Sequence, residues 1–122
     1  MKTLFSLALA LVLMISAASQ AQVKPQTFAA FWAGFKAAIA KNDKEAVASM
    51  TKLPFLFESE ERDKAGFIAI YDKLFDRKLR RCIQTAKPMK EGESYEIFCG
   101  ELILYFSRVD GKFKLIEFGV ND

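Results

Sequence analysis

The stretch that most constrains this chain runs from Ser94 to Val120, where two apolar runs flank an Asp-Gly pair at Asp110-Gly111. Asp-Gly suits the two-residue turn of a β-hairpin, because a type I′ turn needs positive φ at both central residues. Ser94 to Ser107 and Lys112 to Val120 are rich in aromatic and branched side chains, which suit a pleated, half-buried surface. Side chains alternate between the two faces of a strand. Tyr95, Ile97 and Cys99 therefore share a face, as do Leu102, Leu104 and Phe106, with Ile103 and Tyr105 opposite the second set. Gly100 lies between the sets and predicts a bulge or bend within one long strand. In the return strand Phe113 and Leu115 have one parity, while Ile116, Phe118 and Val120 have the other. That change of phase predicts a further bulge, or burial on both faces.

Upstream of the hairpin the apolar period becomes helical. Phe28, Phe31, Trp32, Phe35 and Ile39 fall at i, i+3, i+4, i+7 and i+11, one stripe of a helix capped by Thr27. The stripe carries four aromatic rings, and two readings fit it: the packed core of a small domain, or the wall of a ligand cavity built by Phe31, Trp32 and Phe35. Asn42-Asp43 interrupts the pattern, and Asp43 caps a short second helix reaching Met50, with Ala46, Val47 and Met50 inward. Leu53 to Phe57 reads as a strand starting at a proline. Glu58, Glu60, Glu61 and Asp63 follow. They read either as oxygen ligands for a hard cation, though without EF-hand spacing, or as acids at a helix N-terminus capped by Asp63. Phe67, Ile70, Tyr71, Leu74 and Phe75 share one face of a third helix. Continuing it would turn Lys78 inward, so a break is expected near Asp76, the cap of a fourth helix ending before Pro88. Lys87 to Lys90 can add an edge strand.

Met1 to Ala21 has the layout of an export signal: Lys2, an apolar core from Leu4 to Ile15, and Ser19-Gln20-Ala21 at the cleavage position. Cleavage after Ala21 leaves residues 22–122 as a single small α+β domain in the periplasm or outside the cell, touching the membrane only through the leader. The net charge of the 122-residue chain is +3, too small to argue for nucleic acid. Histidine is absent, which removes the commonest general base and zinc ligand. No cofactor and no metal are expected.

Cys82 and Cys99 are an even pair in a chain with an export signal, so a structural disulfide is the expectation; a redox-active thiol is the alternative, without a Cys-x-x-Cys motif. Lys73, Arg77, Arg80 and Arg81 follow helical spacing on an outward face. That basic face reads as a solvated helix surface or as a docking surface for an acidic partner. Glu101 and Glu117 are the carboxylates deepest in the apolar hairpin. Buried, either could serve as a base of raised pKa, with Tyr71, Tyr95 or Tyr105 as hydrogen-bond donor; on the wet face they are ordinary strand residues.

The order of elements, together with Phe35 to Asp43 and the phrase from Phe106 to Leu115, resembles the nuclear transport factor 2-like, or polyketide-cyclase-like, small α+β domains. The resemblance implies N-terminal helices packed on a curved antiparallel sheet of about three to four strands, cone-like and ending in the long hairpin. Some members of that group are isomerases, dehydratases or cyclases, and many are binding or assembly modules. No catalytic residue carries over. The expected function is an exported soluble binding or protein-interaction module. It would hold a small apolar ligand, with Phe31, Trp32, Phe35, Tyr71 and Tyr105 as lining candidates, or an exported protein partner. The alternatives are a small lyase or isomerase using Glu101 or Glu117, and a homodimer built on the open sheet face.

Overall fold

Local capping chemistry sets the helices of this protein, whose computed structural model describes residues 24–121; the expected leader, residues 1–21, lies outside the described residues. Thr27 Oγ1 accepts the Ala30 N–H at 3.2 Å and opens α1 (Phe28–Ala40). At its end Asn42 takes a positive φ of 50°. The Asn42 N–H donates to Ile39 O and the Asp43 N–H to Ala38 O, the paired bonds of a Schellman ending. Asp43 Oδ1 then accepts the Ala46 N–H and starts α2 (Lys44–Ser49). Asp63 caps α3 (Lys64–Ala69) through the Gly66 N–H, and Asp76 caps α5 (Arg77–Thr85) through the Leu79 N–H, both at 2.8 Å. The third helix expected from periodicity is two pieces, because Ile70 leaves helical geometry between α3 and α4 (Tyr71–Leu74). Phe67, Tyr71, Leu74 and Phe75 still point into the core.

The strands form two antiparallel sheets. β1 (Phe55–Phe57) pairs with β2 (Glu60–Arg62), and β3 (Met89–Glu91), β4 (Ser94–Cys99), β5 (Leu102–Val109) and β6 (Lys112–Val120) form a meander in that order. The fold is therefore α+β, with an open four-stranded sheet. Asp110 and Gly111 both have positive φ, 51° and 81°, as the hairpin turn requires.

The long strand expected from Ser94 to Ser107 is instead two. Gly100 has φ 64° and sits with Glu101 in a tight turn that pairs Cys99 with Leu102. Glycine at the first central position is the signature of a type II′ turn, so Gly100 reverses the chain rather than bending it. The reversal puts Ile97, Cys99, Leu104 and Phe106 on the same face. The phase change in β6 is a bulge: Tyr105 pairs with Glu117 but Phe106 pairs with Leu115, leaving Ile116 as the extra residue. Beyond it Phe118 turns inward, with its ring 5.7 Å from Phe55 and 5.6 Å from Phe75.

The five helices of the described residues lie on the face of the meander that carries Ile97, Leu104, Phe106, Phe113 and Leu115, and together they enclose one hydrophobic cluster. The segment after α2 is stitched to β6, with the Leu115 N–H donating to Met50 O and the Lys52 N–H to Leu115 O, both at 2.8 Å. Cys82 and Cys99 are bonded as expected, with Cα atoms 5.7 Å apart, tying α5 to β4. The acidic cluster does not converge on a cation. Glu58 lies in the β1–β2 turn and pairs with Lys73 at 2.7 Å, Glu60 pairs with Arg62 at 3.2 Å, and Asp63 is a cap.

Two outcomes follow from this layout. The disulfide closes a segment of 17 residues, so a Cys82→Ser/Cys99→Ser variant is expected to lose roughly 3 kcal/mol in urea unfolding; an unchanged midpoint would show that α5 and β4 hold together without it. Glu58 and Ser59 occupy the turn at positive φ, 52° and 64°, a conformation costly for residues with a Cβ. Ser59→Gly is therefore expected to raise stability by about 0.5–1 kcal/mol, measurable as a higher melting temperature; a lower one would contradict the assigned strain.

Candidate functional site

The break after Phe75 decides where the basic residues go. Phase continuity of α4 into α5 is lost at Phe75-Asp76 (ψ 71° and 171°), and α5 runs beside α1 with Leu79 and Ile83 inward. Four of its other side chains, Arg77, Arg80, Arg81 and Gln84, meet the last turn of α1 at Ile39 and Ala40 and line an open cleft of about 290 Å³. Gln84 Nε2 donates to Lys36 O at 2.9 Å and Arg80 Nη1 to Asn42 Oδ1 at 3.1 Å, so both ends of the contact are pinned. Arg80 Nε is buried without a hydrogen-bond partner.

The described residues form four ion pairs: Lys44–Asp72, Arg62–Glu60, Lys64–Glu45 and Lys73–Glu58. None involves Arg77, Arg80 or Arg81. Guanidinium groups are planar forks that bind carboxylate or phosphate oxygens in pairs. Three of them border this one cleft. Lys73, expected on the same face, is elsewhere: it pairs with Glu58 and its ammonium lies 5.6 Å from the Phe57 ring centroid. An unbroken helix would have aligned it with Arg77; the turn at Asp76 does not.

The surface continues along α1. Ala29, Ala30, Ala33, Gly34, Ala37 and Ala40 are all exposed, and Lys36 is the single charged residue among the 13 of this helix. A helix at a solvent boundary normally carries charge on its outer face, whereas one apolar all round is normally covered. Near the N-terminal half, Phe28, Trp32, Lys36, Pro88 and Tyr95 border a shallow groove of about 490 Å³. The small-residue face is legible in the sequence from Phe28 to Ala40, opposite the aromatic stripe. Gln84 carried no sequence signal.

The other candidates are dispersed. Phe31 and Phe35 are buried, packed on each other and on Phe106, and line none of the clefts described here. Trp32 is buried against Phe35 and only borders the shallow groove. Tyr71 is fully buried, with its hydroxyl unpartnered. Burial raises its pKa, opposed by the Arg80 charge and reinforced by Asp72 and Asp43. Tyr105 is on the far face of the sheet, lying over Gly119. These five side chains therefore do not wall a common cavity; four of them serve the core and one the opposite face.

Glu101 is exposed in the β4–β5 turn, where it borders a cleft of about 620 Å³ with Asp76, Lys78, Leu79 and the two cysteines. Glu117 is exposed opposite Tyr105. Both side chains are exposed, so neither carboxylate is removed from water. Thr51 is buried, and its Oγ1 donates to Val47 O at 2.7 Å. Compared with protein-family models, with curated proteins and with solved structures, the chain matches none of them.

Proposed function

We propose that this protein is an exported protein-interaction module that docks an acidic partner on the surface shared by α1 and α5. The observation that carries the proposal is the gathering of Arg77, Arg80 and Arg81 around one cleft, without an acidic partner among the described residues. The uncharged outer face of α1 supports it. Small side chains let a partner's backbone come close, and the arginines at one end supply orientation and charge selectivity. A partner segment that lays apolar residues along Ala33 and Ala37 and places carboxylates near Arg77 and Arg81 would satisfy both halves.

Export is part of the same proposal. A disulfide is compatible with an extracellular location, and the leader-like N-terminus agrees with it. We further take the element order as supporting a distant kinship with the nuclear transport factor 2-like domains and their cone-like sheets, many of which are binding modules. The lyase alternative lacks its base, since Glu101 and Glu117 are exposed.

The experiment is fluorescence polarisation with a labelled acidic peptide alternating Glu and Leu. Micromolar binding that weakens with added salt is expected, and Arg77→Glu/Arg81→Glu should reduce affinity by about tenfold or more, because each reversal replaces an attraction with a repulsion. Binding that survives the double reversal, or is indifferent to salt, would refute docking at this surface.

A further inference from the structure

Two clefts share α5 as a wall. Arg77, Arg80, Arg81 and Gln84 line the first. On the other flank, Lys78, Leu79 and Cys82 face Cys99, Gly100 and Leu102 across an open cleft of about 620 Å³. At about 3.6 residues per turn the two sets fall on roughly opposite sides of the helix. Both cysteines line the second cleft, and Cys82 is only half-buried.

The two ends of the Cys82–Cys99 bridge are held differently. Cys99 pairs with Leu102 across the turn at Gly100, and the Asn121 N–H donates to Glu101 O at 2.7 Å. The sheet end therefore keeps its place through backbone bonds. Its partner α5 has 9 residues, and the chain leaves helical geometry at Phe75 and Ala86 on either side. A helix of that length is marginal by itself. It is held by the burial of Leu79 and Ile83, by the bonds from Arg80 to Asn42 Oδ1 and from Gln84 to Lys36 O, and by the bridge.

We propose that the bridge is exchanged in the folded protein by a dithiol entering this second cleft, and that its redox state controls docking at the arginine cleft. The control rests on the docking surface proposed above; the exchange does not. A thiolate of the dithiol attacks Cys82 Sγ. The bond to Cys99 breaks as the new sulfur–sulfur bond forms, and Cys99 leaves as a thiolate and takes up a proton. The second thiol of the dithiol then attacks its own linked sulfur, and Cys82 leaves and is protonated in turn. The dithiol ends as a disulfide, two electrons have passed to the protein, and the reverse sequence restores the bridge. The chain has 2 cysteines, so no other pairing competes. Reduction unties α5 from the sheet, and a partner must then order the arginines as it binds, which lowers affinity. For a chain that is exported, the bridge forms only after it leaves the reducing cytosol, so the docking surface reaches full strength outside.

Two measurements on the purified protein test the two halves. The first is the rate of reduction by dithiothreitol with and without about 1 M urea, below the unfolding transition, read by alkylation and mass spectrometry. Exchange through the cleft predicts a change of less than about twofold. Exchange that waits for unfolding predicts a rise of about fivefold or more, and that result overturns the first half. The second is fluorescence polarisation with the same acidic peptide. Affinity is expected to fall about tenfold on reduction and return on reoxidation, with circular dichroism unchanged. Cys82→Ala/Cys99→Ala should bind like the reduced protein and ignore dithiothreitol. Equal affinity in both states overturns the control alone, as does a reduced protein that has lost its fold. A peptide that binds neither state overturns the docking surface and the control together, while the urea comparison still decides the exchange.

Discussion

Phe106 is the ring on which this fold converges. Phe28, Phe31, Trp32 and Phe35 of α1 all approach it, with centroids 5.2–5.9 Å away and mostly edge-on. Aromatic edge-to-face pairs add about 0.5–1.5 kcal/mol each beyond the area they bury. Four such contacts on one strand residue fix α1 against the middle of the sheet. Phe113 extends the same contact through Phe28 and Phe31, and Phe75 extends it through Phe35 to α4. Helices and sheet are thus held by one continuous aromatic layer, and the remaining elements are arranged by what that layer leaves room for.

The bulge at Ile116 is a consequence of that layer. Without it, strict alternation after Leu115 would send Phe118 to the outer face. With it, Phe118 closes the layer between Phe55 and Phe75, and the small β1–β2 hairpin gains something to pack against. The disulfide performs the same task on the opposite edge, where β4 meets α5. The interior is filled by aromatic packing, and the arginine cleft and the uncharged face of α1 are left outside it. The core of the described residues holds no buried acid.

Much of the local structure was legible in the sequence because local chemistry decides it. Caps at Thr27, Asp43, Asp63 and Asp76 depend on a side-chain oxygen within three residues of an unpaired N–H. The Asp110-Gly111 turn depends on positive φ, and the disulfide on an even cysteine count together with two inward-facing positions. The turn at Glu58-Ser59 was not legible, since neither residue favours positive φ; packing of Phe55 and the Lys73–Glu58 pair hold it. The role of Gly100 is not decided locally, because a glycine in an apolar run can bend a strand or reverse it, and the choice rests on which residues then pair.

The candidate site divides the same way. The sequence alone specified the residue types: three arginines on one short segment, a helix nearly free of charge, and alternating polar and apolar residues on the strands. Those are properties of neighbours in the chain. Folding decided which of them meet. The break at Asp76 separates Lys73 from Arg77, α5 brings the arginines to the end of α1, and the turn at Gly100 brings Phe98 beside Ile103. Such juxtapositions depend on contacts between residues distant in sequence, which periodicity and capping, both short-range, do not encode.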